Sequence, residues 1–426
     1  MNETVYWLWL SMVFGTGSRR IWEAMCFFET ATEAYCELSA ENCRLNLTQE
    51  EIANIRSITL DQVRSLMEES EKKGVKAVGY SSEEYPHQLR HIVNPPAVLY
   101  YKGDISCLKG TRTVTSVGAR YASDYSLRAA EEICSELARN GYVIVSGFAL
   151  GIDIASHLAA VSVNRPTACV MGCGVDVDYP KDNFRFRDMI IENGGVFISE
   201  FPIGTPPHSS NFPKRNRILS ALGRVSVVFE ATDHSGSLIT ANLSAEQGRE
   251  VFCLPPADIF SSAYSGNILL LRDGATPLYS AEDIMERFLI GGVNEQEIRE
   301  EMYTGIDTFG VEPTSSADKP KLDITRLARP KKGRRKKKAE KITEHNEVVE
   351  EKETEQNKAD IIGSIPEGTL TDVQESIVKL LEGCSLHADV IMTKLEIEPA
   401  SLMVELTELE MLGIVKALPG KMYSLC

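Results

Sequence analysis

Between residues 111 and about 290, short apolar segments alternate with amphipathic ones, and this alternation restricts the possible fold more than any other feature of the chain. Six segments are rich in β-branched residues, and five of them are each followed by a helical pattern: TVTSVG, YVIVSG, TACVMG, VFISEF, VSVVFEA and, closing the series, EVFCLP. Strands that are apolar along their whole length are typical of a parallel sheet covered on both faces. The pattern therefore predicts an α/β fold whose core is a doubly wound, Rossmann-like parallel sheet.

The residues that follow these strands are the candidate binding residues, because open parallel sheets bind ligands beyond the carboxyl ends of their strands. Several strand ends combine glycine or serine with a helix start, where backbone N–H groups suit an anion such as phosphate. Two others carry basic residues, and one of these adds an aromatic ring. The candidates are Gly118, Arg120, Ser146, Gly147, Gly151, Lys181, Phe184, Arg215, Asn216, Arg217, Ser235, Gly236, Ser237 and Thr240.

A row of phosphate sites along one edge favours a ligand with several phosphates, and a ring beside a lysine suits single-stranded nucleic acid. Each feature also has a structural interpretation. SGFALG departs from the dinucleotide motif G-x-G-x-x-G, Lys214 to Arg217 also fit a solvated helix face, and Phe184 also fits a core. Asp153 and His157 lie four apart on a helix without a third ligand, which favours a local cap or ion pair over a metal site.

An enzyme is the main alternative, because related Rossmann-like folds hydrolyse the N-glycosidic bonds of nucleotides. Glu200 and Glu230 follow strands and are the candidate carboxylates for that reaction. The chain lacks the PGGxGT turn of such enzymes and the GK[ST] motif of a P-loop, and no histidine is well placed to activate a serine. The residues therefore favour a non-catalytic protein without a cofactor or a metal.

Charge and cysteine content restrict the possible partners and the compartment. The net charge is −16, but local basic clusters at 181–187 and 214–217 decide where an anion binds. Ten cysteines without a C-x-x-C pair are expected to be reduced and mostly buried. The apolar segment VYWLWLSMVFG is shorter than the roughly 18 residues of a membrane span and predicts a buried helix in a cytoplasmic protein.

Composition divides the chain into four regions. Residues 1–80 are predicted to be a helical domain, and residues 81–300 the Rossmann-like domain, which begins with a proline-rich connector. Residues 301–365 are predicted to be a disordered charged linker, because they contain the basic run PKKGRRKKK and then an acidic polar tract. Residues 366–426 regain helical periodicity and are predicted to form a small terminal domain with a two-stranded wing.

Five motifs in this order resemble those of the DNA-processing protein A (DprA, or Smf) family: GARYASDYS, SGFALGIDIASHLAAV, FPKRNRILSAL, VVFEATDHSGSLITANLSAEQGREVF and SGNILLLRDGA. The resemblance is strong over residues 110–280 and looser towards both ends. Residues 1–80 resemble the SAM-like or helix-hairpin-helix region of the family, and residues 366–426 resemble its winged helix. Pro256 stands where the family more often has glycine, which affects a loop and not the fold.

The resemblance implies a cytoplasmic protein that binds single-stranded DNA, protects incoming strands during natural transformation and loads the RecA recombinase onto them. It also implies a homodimer formed through the Rossmann-like domain. By the same resemblance Arg120, Lys181 and Phe184 contact DNA, and the turn at Gly147 and the segment 215–217 belong to the same pocket.

The terminal domain and the linker leave further alternatives open. The third predicted helix of the winged-helix region carries four glutamates, and residues 366–426 hold ten acidic and four basic residues. Because this charge repels phosphates, the sequence predicts a protein-contact or stabilising role and argues against a transcription regulator that binds duplex DNA. The basic run fits either a salt-sensitive DNA contact or a solvated tether.

Overall fold

The computed structural model describes residues 3–40, 45–110, 112–290 and 324, and in the C-terminal part residues 371–381, 386–395, 397, 402, 405–406, 409, 415–418 and 422–425. The chain forms two compact units, Met1–Pro330 and Lys331–Cys426. Within the described residues, no helix is long and apolar enough to cross a membrane.

In the described part of the first unit, nine strands form one mixed sheet in the spatial order β1-β2-β6-β5-β4-β3-β7-β8-β9. Strands β3 to β9 run parallel. The six strands β3 to β8 are those that the sequence predicted, and β9 is a short seventh that it did not predict. Strand β2 pairs antiparallel with β6, and β1 pairs antiparallel with β2. The strands are β1 (Lys76–Gly79), β2 (Val98–Gly103), β3 (Thr113–Val117), β4 (Val143–Ser146), β5 (Thr167–Val170), β6 (Val196–Ser199), β7 (Val225–Val228), β8 (Glu250–Cys253) and β9 (Thr276–Pro277). The order reverses at β3, the topological switch point where such sheets bind ligands.

Helices cover both faces of the sheet. Successive residues of β4, Ile144 and Val145, belong to separate apolar clusters, because neighbouring side chains of a strand point to opposite faces. Helices α6 and α7 pack together in the cluster of Ile144, and α9 and α10 pack together in the cluster of Val145. The helices of this part are α6 (Asp124–Arg139), α7 (Ile152–Ser162), α8 (Arg187–Glu192), α9 (Asn211–Leu222), α10 (Gly236–Glu246), α11 (Ser265–Arg272) and α12 (Ala281–Ile290).

Five helices precede the sheet among the described residues of the N-terminal region, which was predicted to be helical. They are α1 (Thr4–Phe14), α2 (Arg20–Met25), α3 (Ala31–Ser39), α4 (Gln49–Ser57) and α5 (Leu60–Lys72). Helix α1 is the buried helix expected from its apolar sequence, and Trp9 in it is fully buried. Thr48 and Thr59 begin α4 and α5 with reciprocal capping boxes. Strand β1 then adds the last residues of this region to the sheet.

The second unit has the elements of the predicted winged helix. It contains α13 (Asp372–Leu381), α14 (Ala388–Leu395) and a sheet of β10 (Leu386–His387), β12 (Met422–Leu425) and β11 (Val415–Leu418), in that order. Ile377, Ile391 and Val415 are buried in its core. Most of the predicted third helix, and the predicted linker apart from Ile324, lie outside the described residues.

Candidate nucleic-acid interface

The turn after β3 interlocks with the start of α7. The N–H of Ile152 donates to the carbonyl oxygen of Ala119 at 3.2 Å. Gly151 has a φ of +75°, and a Cβ on it would collide with that carbonyl. A Cβ on Gly118 would lie 2.5 Å from the side chain of Ile152. The two glycines thus permit a close approach of two turns, which fixes the backbone that leads to Arg120.

The turn after β4 rests on a buried arginine. Arg215 is 6% exposed, and its Nη1 donates to the carbonyl oxygens of Gly147, at 3.1 Å, and of Val170. A Cβ on Gly147 would lie 2.7 Å from Nη2 of Arg215 and 2.7 Å from Oδ2 of Asp153. The carboxylate of Asp153, in the first turn of α7, accepts from the N–H of Ala149 at 3.3 Å; this is a local hydrogen bond and not a helix cap, since the N-cap residue is Gly151. Arg215 therefore supports this turn from inside the protein.

Burial governs the ionisation of the groups beneath this turn. It raises the pKa of the Asp153 carboxyl, and the positive charge of Arg215 opposes that rise. Burial and Arg215 together lower the pKa of His157 to about 3, so its ring is neutral at pH 7. Nδ1 of His157 lies 2.7 Å from the hydroxyl oxygen of Thr167. Over the described part of the chain, no group of three or more histidines, cysteines or carboxylates is arranged to hold a metal.

The loop after β5 is tied to the turn after β4. Asn183 is 2% exposed, and its Nδ2 donates to the carbonyl oxygens of Phe148, at 2.9 Å, and of Ala149, at 3.0 Å. The ring of Phe148 is itself buried. With Asn183 fixed, Lys181 and Phe184 on either side of it stay at the surface, and Phe184 is 44% exposed.

Three neighbouring strand ends therefore form one continuous surface, which we call the β3–β5 edge: the turns 118–121, 147–151 and 181–184. The side chains of Arg120 and Lys181 are exposed on it, and Phe184 and Tyr121 each leave a ring 44% exposed. Neighbouring strands lie about 4.8 Å apart, so the ends of β3 and β5 are separated by roughly 10 Å. The edge thus presents two cations and two rings on turns that are hydrogen-bonded to one another.

Other candidates on α9 are held by the protein itself. Nη2 of Arg217 lies 2.5 Å from Oε1 of Glu200, and Nε of Arg217 donates to the carbonyl oxygen of Asn94 at 3.0 Å. Asn216 is buried and donates to the carbonyl oxygen of Gly236 at 3.4 Å. Residues 215–217 therefore have structural roles within the protein, whereas Lys214, which precedes them, is exposed to solvent.

The candidates after β7, and Ser146, also have structural roles. Ser235 caps α10 by accepting from the N–H of Ser237 at 3.2 Å. Thr240 is 1% exposed, and Ser146 is fully buried and donates to the carbonyl oxygen of Ser116 at 2.6 Å. Gly236, in contrast, is exposed.

Both carboxylates of the enzymatic alternative have structural partners. Glu200 forms the ion pair with Arg217 described above, and its side chain is 3% exposed. Glu230 is 2% exposed and accepts from Ser123, at 2.9 Å from the N–H and 2.6 Å from the hydroxyl. Ser123 is the N-cap of α6, so Glu230 stabilises a helix start.

Sequence reasoning did not identify Asn183 as a residue of this site. A signal was present, because an asparagine stood between the lysine and the aromatic residue of the loop. Asparagine side chains commonly hydrogen-bond to nearby backbone groups in loops.

Comparison with known proteins shows which family the chain belongs to. The family model of DNA recombination-mediator protein A matches residues 76–289, about half of the chain, and the model of the DprA winged helix domain matches residues 365–421. DNA processing protein DprA of Bacillus subtilis (strain 168) is 39% identical over 215 residues, which cover 50% of this chain and 72% of that protein. Protein Smf of Synechocystis sp. is 32% identical over 292 residues, which cover 67% of this chain and 72% of that protein.

A solved structure shows the same fold. The X-ray structure of DNA processing protein A (DprA) from Streptococcus pneumoniae matches with a TM-score of 0.58 and 30% sequence identity. The match covers 67% of this chain and 97% of that one. Together with the two family models, these similarities extend over the mixed sheet and the terminal winged helix. The chain therefore belongs to the DNA recombination-mediator protein A (DprA/Smf) family.

Proposed function

We propose that this protein binds single-stranded DNA along the β3–β5 edge and acts as a non-catalytic mediator of recombination. The observation that carries the proposal is the joint presentation of Arg120, Lys181 and Phe184 on turns that hold one another in place. Two cations can contact phosphates while the ring stacks on a base, a combination that binds single strands with little sequence preference. Membership of a recombination-mediator family supports the same function.

The proposal includes a biological role, for which the family resemblance is the support. We infer that the protein protects incoming strands during natural transformation, loads RecA onto them and acts as a homodimer through its sheet domain in the cytoplasm. Assembly of RecA on a single strand, followed with and without this protein, tests the loading role. Sedimentation over a range of protein concentrations tests the dimer.

Fluorescence anisotropy with a labelled oligo-dT of roughly 30 bases tests DNA binding, because that length exceeds the site size of typical single-strand binders. We expect the wild type to prefer this strand over a duplex and to lose affinity steeply as salt increases. Arg120→Ala and Lys181→Ala should each weaken binding and reduce the slope of log affinity against log salt by about 0.7. Phe184→Ala should cost about 1–3 kcal/mol of binding free energy.

Lys109→Ala is the matched control, because Lys109 is an exposed lysine that precedes β3 and so lies at the opposite edge of the sheet. It removes the same charge and should leave the affinity and the slope close to those of the wild type. If Arg120→Ala and Lys181→Ala both bind DNA with the affinity of the wild type, the DNA site does not lie on the β3–β5 edge. Absence of single-strand binding at low salt would refute the proposed function itself.

A further inference from the structure

A cavity of about 540 Å³ opens among the N-terminal helices, between α1, the connection from α2 to α3, and the turn after β1. Its walls are largely aromatic, since Trp7, Trp22, Tyr80 and Phe28 line it. The ring centroids of Trp22 and Tyr80 lie 4.6 Å apart, and those of Trp7 and Trp22 lie 5.5 Å apart. The rings thus form one contiguous cluster on the wall.

Hydrogen bonds fix the two indoles of this wall. Nε1 of Trp7 donates to the hydroxyl oxygen of Ser81 at 2.9 Å, and Nε1 of Trp22 donates to the carbonyl oxygen of Pro95 at 2.8 Å. Both indole donors are therefore already used inside the protein. Trp22 is half-buried and can offer a ligand its carbon surface and its π-electrons, whereas Trp7 is 3% exposed and supports the wall from inside.

The charged residues that line the cavity are acidic, whereas the guanidinium of Arg90, outside the lining, lies 5.5 Å from the ring centroid of Tyr80. Glu3 and Glu29 line it, and none of the described residues that line it is a lysine, an arginine or a histidine. The carboxylate of Glu3 is held in place, because it accepts from the hydroxyl of Ser81 and from the N–H of Ala31. Glu29 is exposed. Carboxylates beside aromatic rings attract a cation and repel phosphate, so this cavity is chemically unlike the β3–β5 edge.

We propose that this cavity receives an arginine side chain from a protein partner. A guanidinium is planar and weakly hydrated, so it stacks on aromatic rings and pairs with carboxylates at the same time. The cavity is wider than one side chain needs, and Phe27, next to the lining residues Cys26 and Phe28, is 53% exposed. The exposed ring of Phe27 beside the cavity can contact an apolar residue next to the arginine, which favours a peptide segment over a free cation.

Tryptophan fluorescence during titration with short capped peptides tests the proposal. The probe is acetyl-Leu-Arg-Leu-amide, and its control carries citrulline, which has the shape of arginine without the charge. We expect the arginine peptide to bind at least roughly threefold more tightly, as the cation–π attraction alone predicts. Equal binding of the two peptides, or no binding of either, would overturn the proposal. N-acetyl-arginine amide binding as tightly as the peptide would reject a protein partner in favour of a small cation.

A variant that removes one negative charge and the alkylation rate of one cysteine provide two further tests of the proposal. Glu29→Gln should weaken binding of the arginine peptide and leave binding of the citrulline peptide unchanged. Glu68→Gln, a change at an exposed glutamate of α5, should affect the binding of neither peptide. The arginine peptide should also slow alkylation of Cys26 by iodoacetamide. Cys36, the comparison thiol, is exposed on α3 and is absent from the cavity lining. Equal labelling rates at Cys26 with and without the peptide would contradict occupancy of the cavity.

Discussion

Three basic residues in four positions of α9 have three different environments. Lys214 is exposed, Arg215 is buried against backbone carbonyls, and Arg217 pairs with Glu200. Successive residues of a helix point about 100° apart, so neighbours in sequence face different surroundings. The sequence predicted a cationic segment at the sheet edge but not which cation faces solvent, because that depends on how the helix is rotated against the sheet.

The buried side chain of Arg215 leaves no room for a Cβ at Gly147, and a substitution at Gly147 can test this. Gly147→Ala places a Cβ against Arg215 and Asp153, so we expect it to lower the free energy of unfolding by about 1–3 kcal/mol. Gly236→Ala is the matched control, because no atom lies within 4 Å of the new Cβ and the change should stay within about 0.5 kcal/mol. Urea denaturation measures both. Equal stability of the two variants would contradict the role given to Arg215.

At the scale of secondary-structure elements, hydrogen bonds connect the start of α6 to residues that follow two other strands, β7 and β8. The hydroxyl of Ser123 caps α6, donates to Glu230 after β7, and lies 2.7 Å from the hydroxyl oxygen of Tyr264 after β8. One serine thereby joins the ends of β3, β7 and β8. Glu230, one of the two candidate carboxylates of the enzymatic alternative, is part of this junction.

Ser123→Ala should lower the free energy of unfolding by about 1–2 kcal/mol, because it removes the helix cap and leaves a buried carboxylate with one donor fewer. Ser209→Ala, a change at an exposed serine in the loop before α9, should leave stability within about 0.5 kcal/mol of the wild type. Thermal or urea unfolding compares the two. A Ser123→Ala protein as stable as the control would show that the junction contributes little.

The six strands β3 to β8 were predictable as elements, whereas the edge strands β1 and β9 were not. Each core strand, such as β4, is a continuous apolar run, and buried parallel strands have that signature. Strand β1 has only four residues, KAVG, and follows a helix within a region of helical pattern. Its pairing with β2 comes from tertiary contact, which a local pattern does not encode.

For the whole molecule, net charge and binding surface are separate properties. The chain carries −16, yet the β3–β5 edge exposes Arg120 and Lys181. The fold was predictable because its periodic pattern spans many residues. The site was predictable only in outline, because strand ends define an edge, whereas the division between exposed and supporting residues depends on contacts such as those of Asn183.

A chain that stops after Pro330 retains the first compact unit and the candidate DNA contacts of the β3–β5 edge, but it lacks the basic run. We expect its dissociation constant for oligo-dT to stay within about threefold of the full chain at ~0.15 M salt, since phosphate contacts dominate such binding. A second chain that stops after Lys338 restores the basic run, and a steeper salt dependence would assign DNA contacts to that run. Loss of binding in both chains, with unfolding unchanged, would place the DNA site beyond residue 338.

The bond from Asn183 to the turn after β4 has a consequence for the thermodynamics of recognition. Because that bond and the interlocked glycines form when the protein folds, the conformational entropy of the three turns is lost before any ligand arrives. A strand that docks on this edge then meets a preorganised surface, and the ordering cost of association falls mainly on the DNA.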